Sequence, residues 1–244
     1  MTLRTLAIPF MALMLQLTIG RSHAADAPAP APGLVPVPSG LSTCPPEGTS
    51  AADMERTTAM LHGQSLGCFQ SSEMIELHGL KKIYTVPLEY AFAVEIKGGP
   101  YASKDVDKLM SDVAEGWKNS KPLSQDTRAD YEKRLNGLIE KSAPNGTPKP
   151  SESVNPPVLV SIEQLGAESF AVVSIRQRQV SLNGEFFNTT KTDAAAVVLK
   201  NGRLVRLSIE RELRSKSDVS AAREEMADWA YAVAAKWEGS EKPQ

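Results

Sequence analysis

The chain has little of what catalysis usually demands. Its 244 residues include two cysteines, three histidines and 6% aromatic side chains. No Gly-rich phosphate loop, HExxH, paired CxxC or GxSxG elbow occurs, so the common phosphate, zinc and nucleophile signatures are missing. Basic residues do not outnumber acidic ones: 27 Lys and Arg stand against 29 Asp and Glu, a formal net charge of -2. That balance lacks the cationic excess by which general nucleic-acid binders displace counterions from phosphates. No nucleic-acid partner, catalytic residue, cofactor or metal site is expected. His62 and His78 lie in different predicted segments without a flanking ligand pattern, and each is expected to be a surface or interface histidine. The pair Glu224-Glu225 falls on the polar side of a predicted helix, a solvated face.

The first two dozen residues have the form of a cleavable export signal. Arg4 precedes the apolar run Leu6 to Ile19, and Ser22-His23-Ala24 supplies a small-x-small cleavage site. At a rise of 1.5 Å per residue, about 14 apolar residues span only about 21 Å, short of a hydrocarbon core of about 30 Å. A periplasmic or secreted product without stable membrane insertion after cleavage is the expectation. Residues 25 to 43 are a proline-rich tether, in which closely spaced prolines favour an extended backbone.

Cys44 and Cys68 share a turn-rich segment, 44 to 73. In an oxidising compartment a disulfide between them would close a loop of about 25 residues, worth about 3 kcal/mol in the chain-entropy model. Free thiols and a metal pair are the alternatives, the latter with only His62 between the cysteines as a further ligand.

Regular structure is predicted from about residue 74. Tyr90, Phe92, Val94 and Ile96 alternate with Glu89, Ala91, Ala93 and Glu95, the period of a strand, and Gly98-Gly99-Pro100 stops it. Ser103 is placed to cap a helix carrying Val106, Leu109, Met110, Val113 and Trp117 on one face. A second helix after Ser124 would carry Tyr131, Leu135, Leu138 and Ile139. Residues 144 to 157 are predicted to be an exposed loop within one domain of residues 74 to 239. Four strand-like runs follow, near 158 to 164, 169 to 182, 186 to 200 and 203 to 211. A closing helix after Ser217 bears Val219, Ala222, Met226, Trp229, Val233 and Trp237 at spacings of three and four.

Asn183-Gly184 and Asn201-Gly202 each favour a two-residue type I′ turn, and such turns fix the register of their strands. On that register Val173 faces Ala194 and, one strand further, Ile209, and Ile175 faces Thr192. Val198 faces Val205, and Ala196 faces Leu207. These residues form one apolar face, suited to the Trp229 helix. The opposite face divides: Phe170, Val172, Val197, Leu199 and Leu204 occupy one end, and Arg176, Arg178, Lys191, Asp193, Glu210 and Glu212 the other. The fold class is therefore α+β, an antiparallel meander flanked by amphipathic helices in a layered α/β sandwich.

The ending, NGRLVRLSIERE followed by Ser217-Asp218-Val219 and a helix with Trp229 and Trp237, resembles the closing hairpin and helix of PsbP-like domains, exported bacterial members of unassigned role included. The resemblance covers residues 155 to 238 and is one of element pattern. It implies a binding or assembly role and transfers no site residue.

Arg176 falls opposite Lys191, and opposed like charges are destabilising. Glu212, facing Lys191 from the next strand, is the structural answer and leaves a solvated mixed-charge face. An acidic partner or anionic ligand meeting Arg176, Arg178, Lys191 and Arg206 is the functional one, although Arg206 lies two rows away beside Val197. The function expected is a non-enzymatic binding or assembly factor of the cell envelope, with an envelope protein as partner. An immunity-type inhibitor of a co-encoded toxin or hydrolase and a small-ligand-binding protein are the alternatives. Asn145-Gly146-Thr147 and Asn188-Thr189-Thr190 match the glycosylation sequon.

Overall fold

The computed structural model describes residues 35–45, 63–73, 89–119, 151–182 and 185–236, with residues 58, 129, 133 and 136. The elements are β1 (Ser42–Thr43), β2 (Gly63–Gln70), β3 (Tyr90–Ile96), α1 (Ser103–Asn119), β4 (Ser151–Val154), β5 (Val158–Gly166), β6 (Ser169–Leu182), β7 (Glu185–Lys200), β8 (Arg203–Glu212) and α2 (Lys216–Lys236). The eight strands form one antiparallel sheet in the order β1-β2-β3-β8-β7-β6-β4, with β5 also paired to β6. The content is α+β and dominated by the sheet.

Turn chemistry sets the central meander. Asn201 and Gly202 take φ of 50° and 75°, the paired positive values of a type I′ turn. The register that follows is the predicted one: Ala196 pairs with Leu207, Val198 with Val205, and Ala194 with both Val173 and Ile209. Asn183-Gly184 lies outside the described residues, but Leu182 pairs with Glu185 across it.

One sheet face receives α2. Ala222, Met226, Trp229, Ala230 and Val233 are buried on that helix and join Ala171, Val173, Ala194, Ala196, Val198, Leu207 and Ile209 in one core. Trp229 meets Phe69 of β2 edge to face, with ring centroids 5.9 Å apart, and its indole N–H donates to the Pro36 carbonyl at 2.7 Å. Val35 and Leu41 belong to the same core. The last part of the proline-rich stretch is thus packed under Trp229, because two apolar side chains there have somewhere to go. Trp237 lies outside the described residues. Arg211 strengthens this attachment from β8 by pairing with Glu225 of α2 and with Glu89, the latter at 2.7 Å.

The opposite face receives α1 at one end. Val106 and Val113 are buried among Phe170, Val172, Val197, Leu199 and Leu204, and Leu109, Met110 and Trp117 pack against them. The helix begins with Ser103 as its first residue, and Asp105 accepts a hydrogen bond from the Ala102 N–H at 2.8 Å. The cap therefore stands one residue before the Ser103 expected from sequence. Similarly, α2 is capped at Ser215 and not at Ser217: Asp218 accepts from the Ser215 N–H at 2.7 Å, the reciprocal arm of a capping box. In both cases the carboxylate three residues on decides where the helix starts.

Cys44 and Cys68 are disulfide-bonded. The bond lies within the sheet, since Cys68 belongs to β2 and Cys44 follows β1, with the Cys44 N–H donating to the Cys68 carbonyl at 2.8 Å. Both cysteines are buried with Phe92 and Val94. Residues 63 to 70 therefore form an integral strand. Of the expected loop at 144 to 157, residues 151 to 154 form β4 on β6, and 144 to 150 lie outside the described residues, as do His62, His78 and nearly all of the helix expected after Ser124. No helix among the described residues is long and apolar enough to cross a membrane.

Candidate functional site

Alternation along the strands places Arg176 and Arg178 of β6, Lys191 and Asp193 of β7, Glu210 of β8 and Tyr90 of β3 on the α1 face, at the end beyond α1's apolar contacts. The pairings bring them together: Arg176 lies opposite Lys191, Asp193 opposite Glu210, and Glu210 opposite Tyr90. The side chains then choose diagonal partners. The Arg176 guanidinium donates to Asp193 at 3.0 Å and to Glu210 at 2.9 Å. Lys191 Nζ donates to Glu210 at 3.3 Å, Arg178 stands 3.9 Å from the same carboxylate, and the Tyr90 hydroxyl donates to it at 2.6 Å.

This group is buried. Lys191 is 1% exposed and Arg176 6%, so the expectation of a solvated mixed-charge face is overturned. The expected counterion is corrected as well. Glu212 pairs with Arg214 at 2.8 Å, while Glu210, one pleat further from the strand end, neutralises Lys191 and Arg176 together. A carboxylate at the strand end is within reach of the following loop, whereas the inner one sits between the cations.

The electrostatics follow from burial and pairing. Burial alone would raise the Glu210 pKa, but Arg176, Lys191 and Arg178 outweigh it and hold the group ionised well below the usual carboxylate range. Asp193 goes the other way: burial lifts it to about 6, against the pull of Arg176. Burial lowers the Lys191 ammonium with Glu210 opposing, and raises the Tyr90 hydroxyl well above its ordinary value with Glu210 adding to the shift. Arg206, buried beside Val94 and Val197, is lowered to about 10 by desolvation.

Of the sequence-derived candidates, Arg176, Arg178 and Lys191 therefore meet around Glu210, and Arg206 stays two rows off, as its register required. Sequence reasoning missed Tyr90 and the central part of Glu210. The available signal was the hydrophobic alternation of residues 90 to 96, which puts Tyr90 on a sheet face but does not say which strand it joins.

Cavities open on the surface among the described residues. One, of about 550 Å³, lies between α1 and β5 and is lined by Ala114, Trp117, Pro157, Val158, Val160 and Ile162 among others. Val158 is 65% exposed and Val160 44%. Another, of about 380 Å³, lies at the far end of the long ribbon, where Ser153, Asn155, Gln177, Gln179, Asn188 and Thr190 line it together with Arg178 and Thr189. Among the described residues, no group of three or more His, Cys, Asp and Glu side chains is placed to hold a metal ion. No protein-family model matches the chain, and no curated protein matches it either.

Proposed function

We propose that the protein is an exported, non-enzymatic binding domain of the cell envelope whose partner is another protein, seated in the cleft between α1 and β5. The observation that carries this reading is the cleft itself. Two exposed valines and Trp117 line a groove of about 550 Å³, within the range of about 300–1,000 Å³ typical of pockets that accept a side chain or small ligand. Among the described residues no strand pairs with the outer edge of β5. Register shifts at Leu159/Ser161 and Gln164/Gly166 interrupt the ladder that an added strand would need. The partner accordingly docks through an apolar side chain inserted beside Trp117, not by extending the sheet.

The ion-pair group around Glu210 belongs to the same reading as a stabilising element. Its buried cations face its own carboxylates, which favours a structural role over capture of an acidic partner. The disulfide supports an oxidising compartment, consistent with the export signal expected at the N-terminus. The likeness of residues 155 to 238 to PsbP-like domains supports binding or assembly, and the packing of α1 and α2 on opposite sheet faces suits the layered sandwich of that pattern.

The test is site-specific cross-linking in cells. A photoreactive residue at Val160 should trap one envelope protein that the same residue at Glu224, exposed on α2, does not trap, and Val158→Lys should abolish the product. Equal yields at both positions, or a product indifferent to Val158→Lys, would remove the cleft as the docking site.

A further inference from the structure

The α2 face of the ribbon does not end where α2 ends. Thr192 is fully buried beneath the core, but one pleat further the same face turns polar and open. By alternation Thr190, Asn188 and Phe186 follow Thr192 along β7 on this side. Gln177 and Gln179 face them from β6, paired with Thr190 and Asn188, and Ser153 of β4 is paired with Gln179. Phe186, opposite Ser181, is 66% exposed.

The amides are ordered in two cross-strand pairs. Asn155 Nδ2 donates to Gln177 Oε1 at 3.3 Å, and Gln179 Nε2 donates to Asn188 Oδ1 at 3.1 Å. Each pair uses one donor and one acceptor, so each leaves one amide carbonyl and one amino group on residues that line a cavity of about 380 Å³. The single charged residue in that lining, Arg178, turns its guanidinium toward Glu210. Around Arg178 the described lining is thus a lattice of amide and hydroxyl donors and acceptors, and the exposed Phe186 follows Asn188 on the same face of β7.

We infer that this end of the ribbon is a binding site for a neutral saccharide. Vicinal hydroxyls both donate and accept, and each matches the carbonyl and amino group that an amide pair holds side by side. The apolar C–H face of a sugar ring matches the ring of Phe186, which is largely exposed, and its burial supplies the hydrophobic part. An anionic ligand is disfavoured because the one cation among the described lining residues, Arg178, is paired with Glu210, and an apolar one because seven amide and hydroxyl side chains would lose water without gaining partners. The cavity is large enough for the end of a chain. The inference is independent of protein docking at β5, which lies along another part of β6.

The experiment is titration calorimetry of the purified protein with cellotetraose, maltotetraose and chitotetraose, with co-sedimentation on purified peptidoglycan sacculi as a separate arm. At least one of these probes should bind. Phe186→Ala and the double variant Gln177→Ala, Gln179→Ala should each weaken that binding about tenfold or more, the loss expected for a stacked ring or two hydrogen bonds. Because all three side chains are exposed, thermal unfolding of the variants should coincide with the parent. Binding to sacculi alone would identify the envelope glycan as the source, and binding to a soluble oligosaccharide a free one. No binding to any probe, or binding that survives both variants, would overturn the proposal.

Discussion

Replacing Glu210 by Gln tests whether the buried charges hold the sheet together. The substitution keeps the side chain's size and an oxygen able to accept from Tyr90, but removes the charge that Arg176, Lys191 and Arg178 share at 2.9, 3.3 and 3.9 Å. Breaking a buried ion pair from one side costs about 3–5 kcal/mol, and because Gln preserves one hydrogen bond the lower end, about 3 kcal/mol, is expected. For a chain of this length such a loss lowers Tm by about 6–12 °C. Urea unfolding should show a lower midpoint with an unchanged m-value, and Glu212→Gln, which removes only the exposed partner of Arg214, should leave the midpoint within error. The pH dependence carries a sign. A carboxylate whose folded pKa lies below its ordinary value of 4.5 contributes stability that is present above that value and lost as pH falls below it. The gap between parent and Glu210→Gln should therefore be constant above about pH 6 and narrow as pH drops through 4.5. A gap under about 1 kcal/mol at pH 7 would place the pair among surface salt bridges and refute the buried network.

Asp193 should behave with the opposite sign. Its folded pKa, raised to about 6 from 3.8, means that the native state gains stability by taking up a proton as pH falls between those values. Asp193→Asn cannot do so, and its deficit in urea should grow from pH 7.5 to pH 4. Trp229→Ala should cost about 3–5 kcal/mol and, by removing the donor to Pro36, make residues 35 to 45 sensitive to limited proteolysis at temperatures where the parent resists. Gly202→Ala should cost about 1–2 kcal/mol, because a Cβ at φ +75° is strained and would also sit 3.4 Å from Pro100 Cβ, whereas Asn201→Gly should lie within about 0.5 kcal/mol of the parent.

Local chemistry made the meander legible. Asn201-Gly202 admits few backbone shapes, and once the turn is set, period-2 alternation carries the register over all of β7 and β8 without further information. The α1 stripe from Val106 to Trp117 and the α2 stripe from Ala222 to Val233 were legible for the same reason: periodicity reports burial directly. The place of β2 and β3 in the sheet was not. β2 pairs with β3 across 20 to 33 positions of the chain and β3 with β8 across more than 100, contacts decided by which apolar faces fit, which no turn announces. Residue type points to Ser103 and Ser217 as caps, but Asp105 and Asp218 accept from the backbone three residues earlier and set the caps at Ala102 and Ser215. The candidate site was half legible. Register brought Arg176, Arg178 and Lys191 together, yet register alone assigns partners straight across, and long side chains lean along the strand to the diagonal carboxylate.

That lean explains how a row of cations is held inside a sheet. Arg176 and Lys191, directly opposed, would repel at a strand spacing of about 5 Å, and burying them raises the penalty because the surrounding dielectric is low. Glu210 is placed where both can reach it, and Asp193 takes the other side of Arg176, so each cation is paired along a diagonal. The arrangement works in one register only. A slip of β7 against its neighbours by one residue would move Lys191 and Asp193 to the α2 face and leave Glu210 without them. The ion pairs therefore act with Asn201-Gly202 as a second lock on register. They operate at the open end of the ribbon, where the apolar face has run out and hydrophobic pattern no longer distinguishes one alignment from the next.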